Sequence, residues 1–312
     1  MQCNPENTSL FQEPIFRNVN FYNRECACGK GKGVFIIAAA TNQQRIMLNR
    51  KKIIAANWKM NLTQVEARSY ADSLWAEVGL VNEVDVIVIP PFTAIPALAD
   101  SLNNRPAARL GAQNMYWEKH GAFTGEISAT MLTALNVEYV VIGHSERRRL
   151  FGETDEMVNR KVAAALSANL RPIVCVGETL AERDTNRIEQ VLQRQIREGL
   201  RGMNSGRLHE LVIAYEPLWA IGTGRTATPE EAQETQAFIR SVIASISGQT
   251  AAAEVRIQYG GSVKPDNAKA LLQKPDVDGA LVGGASLDPR GFGQIIRTAV
   301  AISEQQDSRC ND

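Results

Sequence analysis

From Lys52 onward the chain alternates between short apolar runs and longer stretches of helical or loop-like pattern. The apolar runs fall at Ile53–Ala56, Val86–Ile89, Arg109–Ala112, Tyr139–Ile142, Ile173–Val176, Leu211–Ala214, Val255–Gln258 and Gly279–Val282. Short apolar runs separated by helices predict buried parallel strands. Helix starts are marked by three capping boxes, Thr63-x-x-Glu66, Thr179-x-x-Glu182 and Thr228-x-x-Glu231. Pro229 stands at the first position of the last of these helices, where its missing N–H costs nothing. Eight strand–helix units in about 250 residues fit a closed (β/α)8 barrel, a parallel α/β fold ringed by helices. An open doubly wound sheet is the alternative. The lack of a glycine-rich fingerprint after the first strand favours the barrel.

The segment up to Arg50 breaks the pattern. It is rich in Asn, Gln and Gly, shows no sustained period, and carries six basic and three acidic residues. Its apolar stretch Gly33–Ala40 resembles the core of a signal peptide but lies too far from the start. The segment reads as a disordered extension over residues 1–50, or as upstream sequence of a gene whose functional start is Met47. The catalytic domain is expected to span 51–302, with a polar tail over 303–312.

Composition narrows the function. The 312-residue chain has a formal net charge of zero, which argues against a nucleic-acid binder. No apolar run reaches the length of a membrane span. An anionic ligand would therefore be held by local groups, not by a global field. The five cysteines are an odd count without framework spacing, and Cys26-x-Cys28 lacks the spacing of a four-ligand zinc site. Cys175 falls inside an apolar run. The set reads as free thiols in a reducing, cytoplasmic setting.

In a barrel of this kind, chemistry collects where the strands end. Past the first strand stand Asn57-Trp58-Lys59-Met60-Asn61, which would aim an ammonium into the barrel mouth to hold a phosphate or an oxyanion. Past the fourth stand Gly143-His144-Ser145-Glu146-Arg147-Arg148, where Ser145 is expected to cap a helix. His144 would then sit near a helix N-terminus, whose positive end disfavours imidazolium and leaves a neutral hydrogen-bond donor. Past the sixth stands Glu216, followed by the stiff Pro217-Leu218-Trp219 and a small tip with Gly222 and Gly224. A screened carboxylate beside a closable loop suits proton transfer that must exclude water. Gly260-Gly261-Ser262 and Gly283-Gly284 end the last two strands, the usual phosphate site of a barrel. Taken singly, each feature has an ordinary reading: a solvated lysine, a structural histidine, an ion-paired glutamate, a plain turn. Their coincidence at strand ends favours an active site.

These segments resemble the triosephosphate isomerase family. The resemblance rests on Ala56–Asn61, Val141–Arg148, the run from Ala214 to Gly224, Tyr259–Val263 and Leu281–Ser286, in the family's order, from about Lys51 to Ile302. It implies an intramolecular aldose–ketose isomerase that interconverts dihydroxyacetone phosphate and D-glyceraldehyde 3-phosphate in glycolysis and gluconeogenesis. It implies Glu216 as the base, His144 as the neutral donor and proton shuttle, and Lys59 and Asn57 as substrate and oxyanion ligands. It also implies a phosphate grip from the N–H groups of Gly222, Ser262, Gly283 and Gly284, with Glu146 supporting Lys59. The reaction only relocates protons, so no metal or organic cofactor is implied.

The fourteen residues from Gln113 to Glu126 lack a clear helix or strand, which is unusual in a compact barrel. In the family this loop docks beside a partner's active site, near the residue matching Met60, with Thr124 reaching the partner's Asn57 and Lys59 region. A homodimer is implied. Arg225 stands where many relatives carry lysine. Two rivals are weaker: a barrel acting on another sugar phosphate, and a non-catalytic scaffold on the same fold. Intact Asn57-Trp58-Lys59, His144 and Glu216 disfavour the first, and the second would be expected to have lost at least one of these groups.

Overall fold

The computed structural model describes residues 50–102, 108–220 and 226–311. The expected N-terminal extension, apart from Arg50, lies outside the described residues, as does the tip of the loop that follows Glu216. Eight parallel strands close into one barrel in sequence order: β1 Lys52–Asn57, β2 Val84–Ile89, β3 Ala108–Ala112, β4 Val137–Ile142, β5 Arg171–Val176, β6 Val212–Tyr215, β7 Arg256–Tyr259 and β8 Gly279–Val282. Closure is made by β1 pairing with β2 on one side (Ile53 opposite Asp85) and with β8 on the other (Ile53 opposite Gly279). All eight apolar runs are strands, each matching its expected span within two residues at either end.

The helices pack outside: α1 Gln64–Val78, α2 Ile95–Leu102, α3 Ala129–Thr133, α4 Ser145–Phe151, α5 Asp155–Ser167, α6 Leu180–Asp184, α7 Ile188–Gly199, α8 Pro229–Ser247, α9 Gln249–Glu254, α10 Pro265–Leu272 and α11 Pro289–Asn311. The three capping boxes form as expected, with Thr63, Thr179 and Thr228 each accepting from a backbone N–H and each receiving the reciprocal glutamate. The polar residues from 303 onward continue α11.

Strand periodicity divides the core in two. Ile53, Ala55, Ile87, Ile89, Tyr139, Val141, Ile173, Cys175, Val212, Ala214 and Leu281 fill the barrel interior. Their neighbours, such as Ile54, Ala56, Val86, Val140, Val174 and Ile213, face the helices. The phase of the inward set carries past the strand ends. Two residues beyond Ala55 is Asn57; beyond Ala214, Glu216; beyond Cys175, Gly177; beyond Leu281, Gly283. The alternation that builds the core thus also aims the next residue of each strand at the mouth.

Candidate active site

A cavity of about 350 Å³ opens at the carboxyl end of the barrel. It is lined by Asn57, Lys59, His144, Glu216, Ser262, Gly283 and Gly284, together with Gly260, Gly261, Val263, Lys264, Leu281 and Ala285. Every described residue expected to touch substrate is therefore in one place. Gly222 lies outside the described residues. Glu146 stands beside the cavity, bonded to Lys59.

Lys59 adopts a left-handed backbone, φ 53°, uncommon for a residue with a side chain. Its neighbours hold it there. Its N–H donates to Asn57 Oδ1 at 3.1 Å, and its carbonyl accepts from Gln113 Nε2 at 2.7 Å. The same Gln113 amide reaches the carbonyl of Ile89 at 3.2 Å. The long loop after β3 thus braces the backbone that presents the ammonium. Lys59 Nζ meets Glu146 Oε1 at 2.7 Å. Partial burial opposes ionisation of Glu146, but the Lys59 ammonium outweighs it and holds the carboxyl below its usual range.

His144 corrects one expectation. The cap of α4 is His144 itself, not Ser145: Nδ1 accepts from the N–H of Glu146 at 3.2 Å. A nitrogen that accepts an N–H carries no proton, so the ring is neutral and its proton sits on Nε2. That Nε2 lies 3.0 Å from Glu216 Oε1. Gly143, with φ 73°, turns the chain so that His144 reaches the cavity. A Cβ on Gly143 would press on Val158 and Arg148.

Ser145 instead serves Glu216. Its N–H donates to Oε2 at 2.9 Å and its hydroxyl to Oε1 at 3.2 Å. The carboxylate is almost wholly buried, only 2% exposed, at the first turn of α4. Both oxygens are thus engaged by groups on the β4–α4 connection. Space for Glu216 is cleared by two glycines. A Cβ on Gly177 would collide with the Glu216 carbonyl, and one on Gly260 would come within 3.0 Å of its Cγ. Gly177 escaped the sequence reading, because the residue that requires it lies on another strand.

The first leg of the loop after Glu216 is anchored by a second carboxylate that sequence reasoning missed. Fully buried Glu178 accepts from Trp219 Nε1 at 2.8 Å and Tyr215 Oη at 3.0 Å, both on Oε1. The Leu218 N–H donates to the Glu178 carbonyl at 3.1 Å. Burial pushes the Glu178 carboxyl above its usual range. Arg183 lies over the Trp219 ring at 4.1 Å and pairs with Glu231 at 2.6 Å. The only sequence signal near Glu178 was the capping box at Thr179.

The glycines at the last two strand ends differ in purpose. A Cβ on Gly261 would clash with the Tyr259 hydroxyl, so that residue serves packing. A Cβ on Gly283 would face the end of the Lys59 side chain, 3.9 Å from Nζ, and Gly284 faces open space. These two leave bare backbone beside the ammonium.

Comparison with known proteins agrees with this geometry. The family model described as triosephosphate isomerase matches residues 52–299. The triosephosphate isomerase of Moorella thermoacetica is 54% identical over 247 residues, covering 79% of this chain and 98% of the relative. That of Carboxydothermus hydrogenoformans is 51% identical over 251 residues, covering 80% of this chain and all of the relative. That of Symbiobacterium thermophilum is 53% identical over 251 residues, covering 80% and 97%. With the closed barrel, the matched segment and these identities together, the chain belongs to the triosephosphate isomerase family.

Proposed function

We propose that Glu216, His144 and Lys59 carry out the reaction that family membership gives this chain, the isomerisation of dihydroxyacetone phosphate to D-glyceraldehyde 3-phosphate and back. The observation that carries the assignment is the 3.0 Å approach of His144 Nε2 to Glu216 Oε1 in a cavity that also holds Lys59. A neutral imidazole donor, a glutamate base and a protecting loop are the known pattern of this family's chemistry.

In this reading Glu216 leaves Ser145, removes a proton from one substrate carbon and returns it to the next. His144 donates its Nε2 proton to the carbonyl oxygen and moves protons between the two oxygens. Lys59 offsets the charge of the enediolate and of the phosphate, and Asn57 fixes both Lys59 and substrate. The N–H groups of Ser262, Gly283, Gly284 and Gly222 hold the phosphate. Glu146 keeps the Lys59 ammonium in place. Closure of residues 217–225 excludes water, because an exposed enediolate phosphate would eliminate its phosphate. The chemistry calls for no cofactor. A coupled assay on the purified full-length protein, run in both directions, tests this; absence of turnover would overturn it.

Residues 51–302 are proposed as the catalytic unit, in keeping with a family match that begins at residue 52. A protein beginning at Met47 is expected to isomerise at the full-length rate. A homodimer formed through residues 113–126 is also proposed. Its support is exposed apolar surface at Met60, Phe123, Met131, Leu150 and Phe151, with Met60 95% exposed. Sedimentation equilibrium giving a monomer would refute it. A cytoplasmic location is proposed from cysteine usage and family membership, and fractionation of the source cells tests it.

A further inference from the structure

The ionisable side chains lining the cavity are Lys59, His144, Glu216 and Lys264. Their charges are not equivalent. The Lys59 ammonium is already matched by Glu146 at 2.7 Å, and Glu216 contributes a negative charge. Lys264 is exposed at the rim and, among the described residues, makes no ion pair. Without Lys264, the charges of Lys59, Glu146 and Glu216 sum to a negative value, and a further cation near them, Arg149, acts on Glu146 from outside the cavity lining. The chain as a whole supplies no compensating field, since its formal charge is zero.

Position supports a role for this lysine. Lys264 lies two residues past Ser262, in the turn that leads into α10. Asn267 holds that turn at both ends. Its Oδ1 accepts the Lys264 N–H at 2.8 Å, and its Nδ2 donates to the Ser262 carbonyl at 3.0 Å. The backbone carrying the ammonium is therefore fixed relative to Ser262, while the side chain keeps its reach.

We propose that Lys264 is a specificity-determining residue for the phosphodianion: its unpaired ammonium draws phosphorylated trioses into the cavity and favours them over unphosphorylated ones. This rests on the isomerase reading above. It assigns recruitment to Lys264, and leaves close contact with the phosphate to the backbone groups of Ser262, Gly283 and Gly284.

The test compares the parent enzyme with Lys264→Gln and Lys264→Arg on D-glyceraldehyde 3-phosphate and on D-glyceraldehyde, at low and at physiological ionic strength. The kcat/KM ratio, phosphorylated over unphosphorylated, is expected to fall about fivefold in Lys264→Gln at low salt, mainly through KM. Added salt should narrow the gap between parent and variant, and Lys264→Arg should restore the parent ratio. An unchanged ratio in Lys264→Gln, or an equal loss on both substrates, overturns the proposal. Failure of the parent to isomerise the phosphorylated triose would instead break the isomerase reading, so the two failures are distinguishable.

Discussion

The Ser145 amide and hydroxyl hold the Glu216 carboxylate at 2.9 and 3.2 Å, one group on each oxygen. On the role proposed for it, Glu216 would have to leave these two bonds, with His144 Nε2 also 3.0 Å from Oε1, before facing a substrate carbon. In that proposal the described arrangement is the resting one, and its stability sets part of the cost of reaching the working one. Replacing Ser145 by Ala removes the hydroxyl bond and keeps the amide. Binding of a planar, phosphate-bearing mimic of the enediolate is expected to tighten about two- to fivefold. Isothermal titration reads this directly, and weaker binding would mean that the hydroxyl serves the substrate-bound state.

Shortening Glu216 to Asp displaces the carboxylate by about one methylene while leaving the phosphate end of the cavity intact. Turnover is expected to fall about 10²-fold with KM changed less than about threefold. Steady-state kinetics in either direction decides this. An unchanged kcat would remove Glu216 from the role of base.

Lys59→Met deletes the ammonium and leaves Glu146 without its partner. Affinity for a phosphate-bearing inhibitor should drop at least about tenfold, the scale of a lost charge-assisted hydrogen bond. Equal inhibitor affinity in parent and variant would place the phosphate elsewhere. Glu146 should also return toward the usual carboxylate range, since Lys59 holds it low in the parent; a carboxyl-resolved NMR titration of the variant tests that.

Glu178 yields a stability prediction with a definite sign. Its folded carboxyl titrates above the unfolded range, so the native state keeps a proton that the unfolded chain has released. Its contribution is fully present below the ordinary glutamate value, about 4.3, and is lost as pH rises through the raised folded value. Glu178→Gln keeps an acceptor for Trp219 and Tyr215 and cannot ionise. The melting temperature of the variant minus that of the parent should therefore grow by about 2 °C or more from pH 5 to pH 8. A difference that is flat or shrinks with pH would mean that Glu178 is charged in the folded protein at neutral pH.

Much of this was legible in the chain because strands of a closed barrel are buried on both faces and stand out as apolar runs. The residues just past them could then be read as mouth residues. What escaped the sequence depends on partners far along it. Ser145 is a good generic cap, but Glu216 claims its N–H and hydroxyl, and His144 takes the cap with Nδ1. Gly177 has no signal of its own, because what requires it is the Glu216 carbonyl standing where a side chain would be. Glu178 carried no motif, since what marks it is the convergence of Tyr215 and Trp219 on one oxygen. The segment after β3 lacks regular structure as expected. Besides the Gln113 bonds, it is held by Tyr116 stacked on Trp117 at 4.0 Å and by Arg160 above that indole, neither of which has a periodic signature.

The inward phase that runs from Ala214 to Glu216 and from Ala55 to Asn57 makes each of these strands a ladder whose top rung is the one that lines the cavity. Lower rungs are mostly apolar, with Gln258 fully buried among them and Asp85 paired with Arg256 at 2.7 Å toward the base. The top rungs are constrained as well: Asn57 and Glu216 are buried, and a side chain on Gly177 would collide with the Glu216 carbonyl. A one-residue slip in β6 would leave the composition intact, turn Glu216 toward the helices and put Tyr215 or Pro217 in its place. Redesign of such a barrel should therefore change a top rung together with the neighbours that make room for it, and preserve the count of residues below.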